Sequence, residues 1–141
     1  IIGGHDMSEK AALVFSNDAY YAAFLSNDYS AMDLIWSELE TVTCIHPGWH
    51  HLDGREAVME SWKSILSNEA NPKMEIKNGL SHIYGSLGVV ICYEIFSDIT
   101  LVATNIFAKE ADSWKMIHHQ AGGSQPPPII DDDYEEIKTL Q

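Results

Sequence analysis

Three histidines flank a Pro-Gly turn in the segment TCIHPGWHHLDGREAVMESW, residues 43–62. His46 precedes the turn, and His50 and His51 follow it. Imidazole is both a metal ligand and a general acid–base group near neutral pH. A zinc site needs several donors at one point, and adjacent residues of an extended chain point in opposite directions, so His50 and His51 cannot both converge on His46 without strain. We therefore expect a surface turn at the rim of a pocket, with no bound metal and no other cofactor.

His46 shares one face of a predicted strand with Val42 and Cys44, because side chains alternate along an extended chain. The run LETVTCIH, residues 39–46, is rich in β-branched residues, which is typical of a strand. On that face His46 could act as a general base, or it could bond to backbone at the end of the strand. Cys44 and Cys92 are the only cysteines, and both lie in apolar runs, which indicates reduced, buried thiols.

The run SWKMIHHQA, residues 113–121, carries two further histidines. Strict alternation places His118 on the same face as Trp114 and Met116, which is the interior face if Trp114 is a core residue. His119 would then face solvent or a subunit contact. We therefore predict that His118 is the interior histidine of this strand.

The element pattern places the helices before the strands. Helical periodicity covers residues 8–28, 29–36 and 54–68, and Asp53 is predicted to cap the third helix. After Pro72 four strand-like runs follow, separated by short turns that favour an antiparallel meander. This order predicts an α+β domain with helices packed on a curved, mostly antiparallel sheet over residues 8–121. Residues 122–141 read as a Pro-rich and then acidic tail, either solvated or packed on its own or a neighbouring subunit.

The charge of the chain excludes several classes of partner. The 141 residues carry a formal net charge of −13, with eight Lys and Arg. Such a surface repels phosphate backbones and anionic lipid, so we expect neither nucleic acid nor a membrane as a partner. Because no apolar run reaches spanning length and no leader pattern is visible, we expect a soluble, cytoplasmic protein.

Three segments in this order resemble the SnoaL-like group of the nuclear transport factor 2-like superfamily. They are YYAAFLSNDYSAMDLIW, HPG…GREAVMESW and FAKEADSWKMIHHQ, and together they span about residues 10–121. The resemblance implies a cone-shaped pocket between the helices and a strongly curved sheet, and a homodimer formed through the outer face of the sheet. It does not imply a reaction, because the superfamily includes isomerases, dehydratases, cyclases and non-catalytic domains.

Ketosteroid isomerase, a member of that superfamily, uses a carboxylate base together with a Tyr and a protonated Asp that bind the oxyanion. By resemblance its Tyr corresponds to Tyr20, its base to Cys44 and its Asp to Asn105. An Asn amide can donate a hydrogen bond, but a buried thiol is a poor base at neutral pH. This departure argues against steroid isomerase chemistry.

Two hypotheses of function follow. In the first, an isomerase, lyase or cyclase acts on a small, apolar, carbonyl-bearing molecule. His46 or His118 is then the base, and Tyr20 with Asn105 holds the oxygen. Cys44, Trp62 and Phe107 line the pocket beside them. In the second, the chain is a non-catalytic ligand-binding or dimerisation domain.

Overall fold

The computed structural model describes residues 7–68, 70 and 72–128. Two helices, α1 (Met7–Leu25) and α2 (Tyr29–Ile35), precede the first strand, and a third, α3 (Arg55–Leu66), follows the second strand. Two short strands, β1 (Thr43–Ile45) and β2 (Leu52–Asp53), lie between α2 and α3. Four long strands complete the domain: β3 (Glu75–Tyr84), β4 (Leu87–Ile95), β5 (Thr100–Glu110) and β6 (Ser113–Ser124). The predicted α+β class is confirmed.

Local chemistry explains where the helices begin and end. α1 ends before Asn27, whose φ of 54° is left-handed, and the side chain of Asp28 then caps α2 by accepting from the Ala31 amide. The predicted cap of α3 is wrong by one residue. Asp53 lies in β2, and the N-cap is Gly54, whose φ of 97° suits a residue without a Cβ. The chain thus turns directly from the short strand β2 into α3.

The six strands form one sheet in the order β2-β1-β6-β5-β4-β3. The predicted meander of β3 to β6 is confirmed, and each of its pairs is antiparallel. β1 lies parallel to β6, with Cys44 beside His119. The predicted strand over residues 39–46 is shorter than expected, and β2 was not predicted. Because β2 has only two residues, it is too short to show the alternation from which a strand is recognised.

Two bulges interrupt the meander. One lies at Gly79 on β3, where the pairing with β4 shifts between Asn78 and Leu80. The other lies at Ile117 on β6, since Phe107 of β5 pairs with Met116 while Ile106 pairs with His118. A bulge inserts one residue, so the side chains beyond it change faces.

The core lies between the three helices and one face of the sheet, here called the inner face. Leu101, Phe107 and Met116 point to it and are buried, whereas Val102 and Ile106 are half-buried on the opposite, outer face. β6 continues to Ser124, past the predicted end of the domain at residue 121, and residues 129–141 of the predicted tail lie outside the described residues. Within the described ranges, no helix is both long and apolar enough to cross a membrane.

Candidate functional site

Polar side chains gather on the inner face, from the middle of the sheet to the edge where β4 ends and β5 begins. β4 contributes Cys92 and Glu94, β5 contributes Asn105, and β6 contributes His119, and each is at most 3% exposed. α1 covers them with Asn17, Tyr20 and Tyr21, while Cys44 of β1 and His46, which directly follows β1, lie at one side. Alternation along the strands and the 3.6-residue period of α1 therefore place chemistry-bearing groups in a dry interior.

His46 faces the interior, as predicted, and is 4% exposed. Its Nε2 atom lies 2.9 Å from Ser61 Oγ on α3. Ser61 donates its only proton to the Val58 carbonyl at 2.6 Å, so its oxygen accepts from His46. The His46 proton is therefore on Nε2, and Nδ1, which lies 3.9 Å from Cys44 Sγ, has a lone pair.

Aromatic rings enclose His46. Trp62 of α3 contacts the imidazole edge-to-face with ring centroids 5.0 Å apart. Trp49, from the turn after Pro47, packs on the other side at 4.8 Å and is 47% exposed. Trp49 therefore lies between the imidazole and solvent. His50 and His51 are both exposed.

The interior histidine of β6 is His119, and the prediction of His118 is wrong. Trp114 and Met116 face inward as expected, but the bulge at Ile117 shifts the alternation by one residue. His119 is consequently 2% exposed, beside Cys44 on the inner face. His118 is half-buried on the outer face, where its Nδ1 lies 2.7 Å from Thr43 Oγ1. A bulge within a regular apolar pattern leaves no sequence signal that alternation alone can detect.

Asn105 is the centre of a hydrogen-bond network. Its Oδ1 lies 2.5 Å from His119 Nδ1, and its Nδ2 donates to Asn17 Oδ1 at 2.8 Å and to the Tyr21 hydroxyl at 3.2 Å. Because an amide oxygen only accepts, His119 donates from Nδ1 and retains a lone pair on Nε2. Asn105 is on the inner face as predicted, but both of its amide protons are used within the protein. It therefore has no donor left for a substrate oxygen.

Glu94 is a buried carboxylate that the sequence interpretation missed. It is 3% exposed, and its Oε2 accepts from the Tyr21 hydroxyl at 2.6 Å. Burial raises the pKa of the Glu94 carboxyl, and the hydrogen bond from Tyr21 opposes this to a smaller extent. The signal was available, since Val90, Cys92 and Glu94 alternate on one face of β4.

Tyr20 and Trp62 each bury a donor that has no partner among the described residues. These are the Tyr20 hydroxyl and the Trp62 indole Nε1. The two rings contact each other edge-to-face at 5.6 Å, and Tyr20 also contacts the His119 ring at 5.1 Å. Phe107 lies deeper, paired with Gly88 and Met116 and fully buried. The unpartnered donors of Tyr20 and Trp62 thus lie beside the histidines, while Phe107 belongs to the core beyond Asn105; a third such donor is Trp36 Nε1.

Burial sets the protonation of the interior groups. It lowers the pKa of His46 to about 4. Together with the neighbouring His46 and His118, burial lowers the pKa of His119 to about 3. Both imidazoles are therefore neutral at pH 7. Burial raises the pKa of the Cys44 thiol to about 12, so Cys44 is not the base, in agreement with the prediction.

Metal ligation has little geometric support in the described ranges. There, no group of three or more His, Cys, Asp or Glu side chains is arranged to hold an ion. His46 and His119 have ring centroids 6.5 Å apart, and each already has one ring nitrogen bonded within the protein.

Comparisons with known proteins agree on the architecture. The family model described as a SnoaL-like domain matches residues 15–126. Among curated proteins no sequence matches the chain. A candidate dehydratase of the NTF2-like family from Streptomyces avermitilis is 23% identical, with a TM-score of 0.75 over 84% of this chain and 98% of that one. At this identity the likeness shows the fold alone.

Two further solved structures carry different names. A candidate calcium/calmodulin-dependent protein kinase type II association domain from Thiobacillus denitrificans is 29% identical, with a TM-score of 0.69 over 78% of this chain and 93% of that one. A ketosteroid isomerase-like protein from Erwinia carotovora atroseptica is 16% identical, with a TM-score of 0.70 over 86% of this chain and 100% of that one. The same fold is therefore found under catalytic and non-catalytic names.

Proposed function

The chain belongs to the SnoaL-like domain family, and we propose that it is an isomerase or lyase that moves a proton on a small, mostly apolar, carbonyl-bearing molecule held inside the cone. One observation carries this proposal: His46 and His119 are buried and neutral, and each has one ring nitrogen fixed as a donor while the other keeps its lone pair. Neutral imidazoles with an oriented lone pair are general bases.

His119 is the proposed base. Its Nδ1 is held by Asn105 at 2.5 Å, which fixes the tautomer and directs the Nε2 lone pair away from that bond. In the reaction, Nε2 takes a proton from the carbon next to the carbonyl, and the C–H electron pair forms a C=C bond as the carbonyl oxygen becomes an enolate. Return of the proton to a different carbon gives isomerisation. Alternatively, the electron pair expels a hydroxyl at the β-carbon, which leaves as water with that proton.

Tyr20 and Trp62 are the proposed donors to the enolate oxygen. Both side chains are fully buried and both donors lack a partner among the described residues. A buried donor without a partner costs about 1–3 kcal/mol, so a site that retains two of them gains from an acceptor that arrives with the ligand. Donors fixed in a dry site stabilise developing negative charge more strongly than water does. Tyr20 thus keeps the role given by the resemblance, and Trp62 replaces Asn105.

Apolar contacts explain the ligand class. Trp62, Phe24 and Tyr20 pack against one another, with the Phe24 and Trp62 centroids 4.9 Å apart. The formal charge of −13 disfavours an anionic substrate. His46 provides a second lone pair, on Nδ1, with its ring centroid 6.5 Å from that of His119. A neutral ketone or enone of modest size suits these walls.

The test is proton exchange, because it needs no knowledge of the natural product. A panel of small cyclic and linear ketones and enones is incubated with the protein in D2O, and deuterium uptake next to the carbonyl is followed by NMR. We expect His119→Gln to lower the rate by about 100-fold or more, the usual contribution of a general base. His118→Gln is the matched control, since the adjacent imidazole lies on the outer face. Equal rates for these two variants would contradict the assignment.

A non-catalytic assembly domain is the second candidate. It is supported by the name of the Thiobacillus structure and by the apolar, half-buried outer face of the sheet. That face is the proposed surface of a homodimer, because the three described helices pack on the inner face. If no carbonyl compound exchanges and none perturbs the His46 and His119 signals, assembly becomes the leading function.

A further inference from the structure

Glu94 is the one acidic side chain among the buried residues of the described ranges, and nothing in the proposed proton transfer uses it. Its neighbours in the sheet, Ile76 and Leu101, are apolar. A carboxylate in such a place is costly unless a hydrogen bond or a charge compensates it. The Tyr21 hydroxyl is the hydrogen-bond donor that the structure provides, at 2.6 Å.

The hydrogen bonds between His119 and Glu94 all run in one direction. His119 Nδ1 donates to Asn105 Oδ1 at 2.5 Å, and Asn105 Nδ2 donates to the Tyr21 oxygen at 3.2 Å. The Tyr21 hydroxyl then donates to Glu94 Oε2 at 2.6 Å. Each proton is used once, and every donor points towards the carboxylate. Hydrogen bonds aligned in this way polarise one another in a low-dielectric interior.

We propose that Glu94 is a positioning residue for His119, acting through Tyr21 and Asn105 as a relay that ends in a negative charge. The ionised carboxylate attracts the Tyr21 hydroxyl proton, which makes the Tyr21 oxygen a stronger acceptor for the Asn105 amide proton. The polarised Asn105 amide is in turn a stronger acceptor, at Oδ1, for the His119 proton. Positive charge that develops on the imidazole when Nε2 takes a proton is then partly compensated. The relay also holds His119 in the tautomer that leaves Nε2 free.

Other groups near Glu94 do not replace it. Burial raises the pKa values of Tyr20 and Tyr21 on α1 and of Cys92 on β4, and the nearby Glu94 charge raises them further. All three groups are therefore neutral at pH 7. Asp18 of α1 also acts on Cys92, but its side chain is exposed. Glu94 is therefore the charge that ends the relay.

This inference rests on the proposed function only in naming the benefit to catalysis; the relay itself can be observed without substrate. The readout is the His119 Hδ1 resonance in protein labelled with 15N at histidine, at pH 7. We expect Glu94→Gln to keep the tautomer, because a Gln oxygen still accepts from Tyr21, and to move Hδ1 upfield as its hydrogen bond weakens. Tyr21→Phe, which cuts the relay, should move it at least as far.

The matched control is Glu110→Gln. Glu110 also accepts from a hydroxyl, that of Ser37 at 2.5 Å, but it lies outside the relay. Its replacement should leave Hδ1 unchanged. An unmoved Hδ1 in Glu94→Gln would overturn the proposal. If Glu94→Gln does not fold, an unmoved Hδ1 in Tyr21→Phe would overturn it instead.

Kinetics separate this inference from the proposed function. If a ketone exchanges with the wild type, Glu94→Gln should lower the rate roughly tenfold, because base strength sets the rate of proton transfer. If Hδ1 moves as expected while no carbonyl compound exchanges, the relay is supported and the proposed reaction is rejected. If exchange is fast and Hδ1 does not move in either variant, the reaction stands and the relay is rejected.

Discussion

Tyr20 and Tyr21 are neighbours on α1 and both are buried, yet among the described residues only the Tyr21 hydroxyl has hydrogen-bond partners. Adjacent residues of a helix point about 100° apart, so the two rings enter different sectors of the interior. Tyr21 reaches Glu94 at 2.6 Å, whereas Tyr20 lies between the rings of Trp62 and His119. One hydroxyl is therefore part of the folded network, and the other remains available to a ligand.

Phenylalanine substitutions should separate these two roles. Tyr20→Phe removes a buried hydroxyl that has no partner, so we expect the free energy of unfolding to stay level or rise by about 1 kcal/mol, with loss of exchange activity. Tyr21→Phe leaves Glu94 without its donor and should lower that free energy by about 1–3 kcal/mol. Urea unfolding of both variants at pH 7 provides the comparison. A larger loss for Tyr20→Phe than for Tyr21→Phe would show that Tyr20 has a structural partner in solution.

The sequence predicts the parts of this site that follow regular periods. The inward direction of Cys44 and His46 came from alternation, and Asn105 lies on the inner face of β5 as the resemblance implied. His119 was misplaced because a single inserted residue at Ile117 reverses the pattern beyond it. The role of Tyr21 was missed for a related reason: on a helix, neighbouring tyrosines are distinguished by what they contact, and the partner of Tyr21 is distant in sequence.

Stability should depend on pH through the buried histidines. The folded protein resists protonation of His46 until about pH 4, whereas the unfolded chain takes up that proton near pH 6.5. The unfolded state therefore binds more protons in this window, and stability falls as pH falls from 6.5 through 4. His119, whose pKa is lowered to about 3, extends this loss of stability to lower pH. Glu94 acts in the opposite direction at pH values above the ordinary carboxyl pKa, because its raised pKa makes the folded state take up a proton before the unfolded state does.

Urea unfolding at pH 7, 6, 5 and 4 is the measurement for this dependence. We expect the free energy of unfolding of His46→Gln to fall less steeply with decreasing pH than that of the wild type. The difference in slope should correspond to the uptake of about one proton, because Gln does not titrate. His82→Gln is the matched control, since His82 is exposed on β3. A slope in His46→Gln as steep as in the wild type would mean that His46 is not the group that the interior keeps neutral.

The bulge of β3 is occupied by a glycine, Gly79, and a side chain would have no room there. A Cβ atom would approach the carbonyl oxygen of Ile91 to 2.8 Å, and that oxygen belongs to backbone fixed in the sheet. We expect Gly79→Ala to lower the free energy of unfolding by about 1–3 kcal/mol. Gly122→Ala, where a Cβ would meet nothing within 4 Å, should change it by less than about 0.5 kcal/mol. Thermal melting of the two variants side by side tests the assignment, and equal melting temperatures would contradict it.

The outer face of the sheet provides the last prediction, a homodimer. Val102 and Ile106 are half-buried there and do not belong to the core that the described helices cover. Light scattering at micromolar protein should therefore give twice the mass of one chain. Ile106→Lys would place an unpaired charge in the proposed interface and should weaken association by roughly 100-fold or more. Ile99→Lys removes an exposed isoleucine in the turn before β5 and should leave the dimer intact. A monomeric wild type, or equal dissociation of both folded variants, would place the interface elsewhere and leave the apolar outer face without a partner.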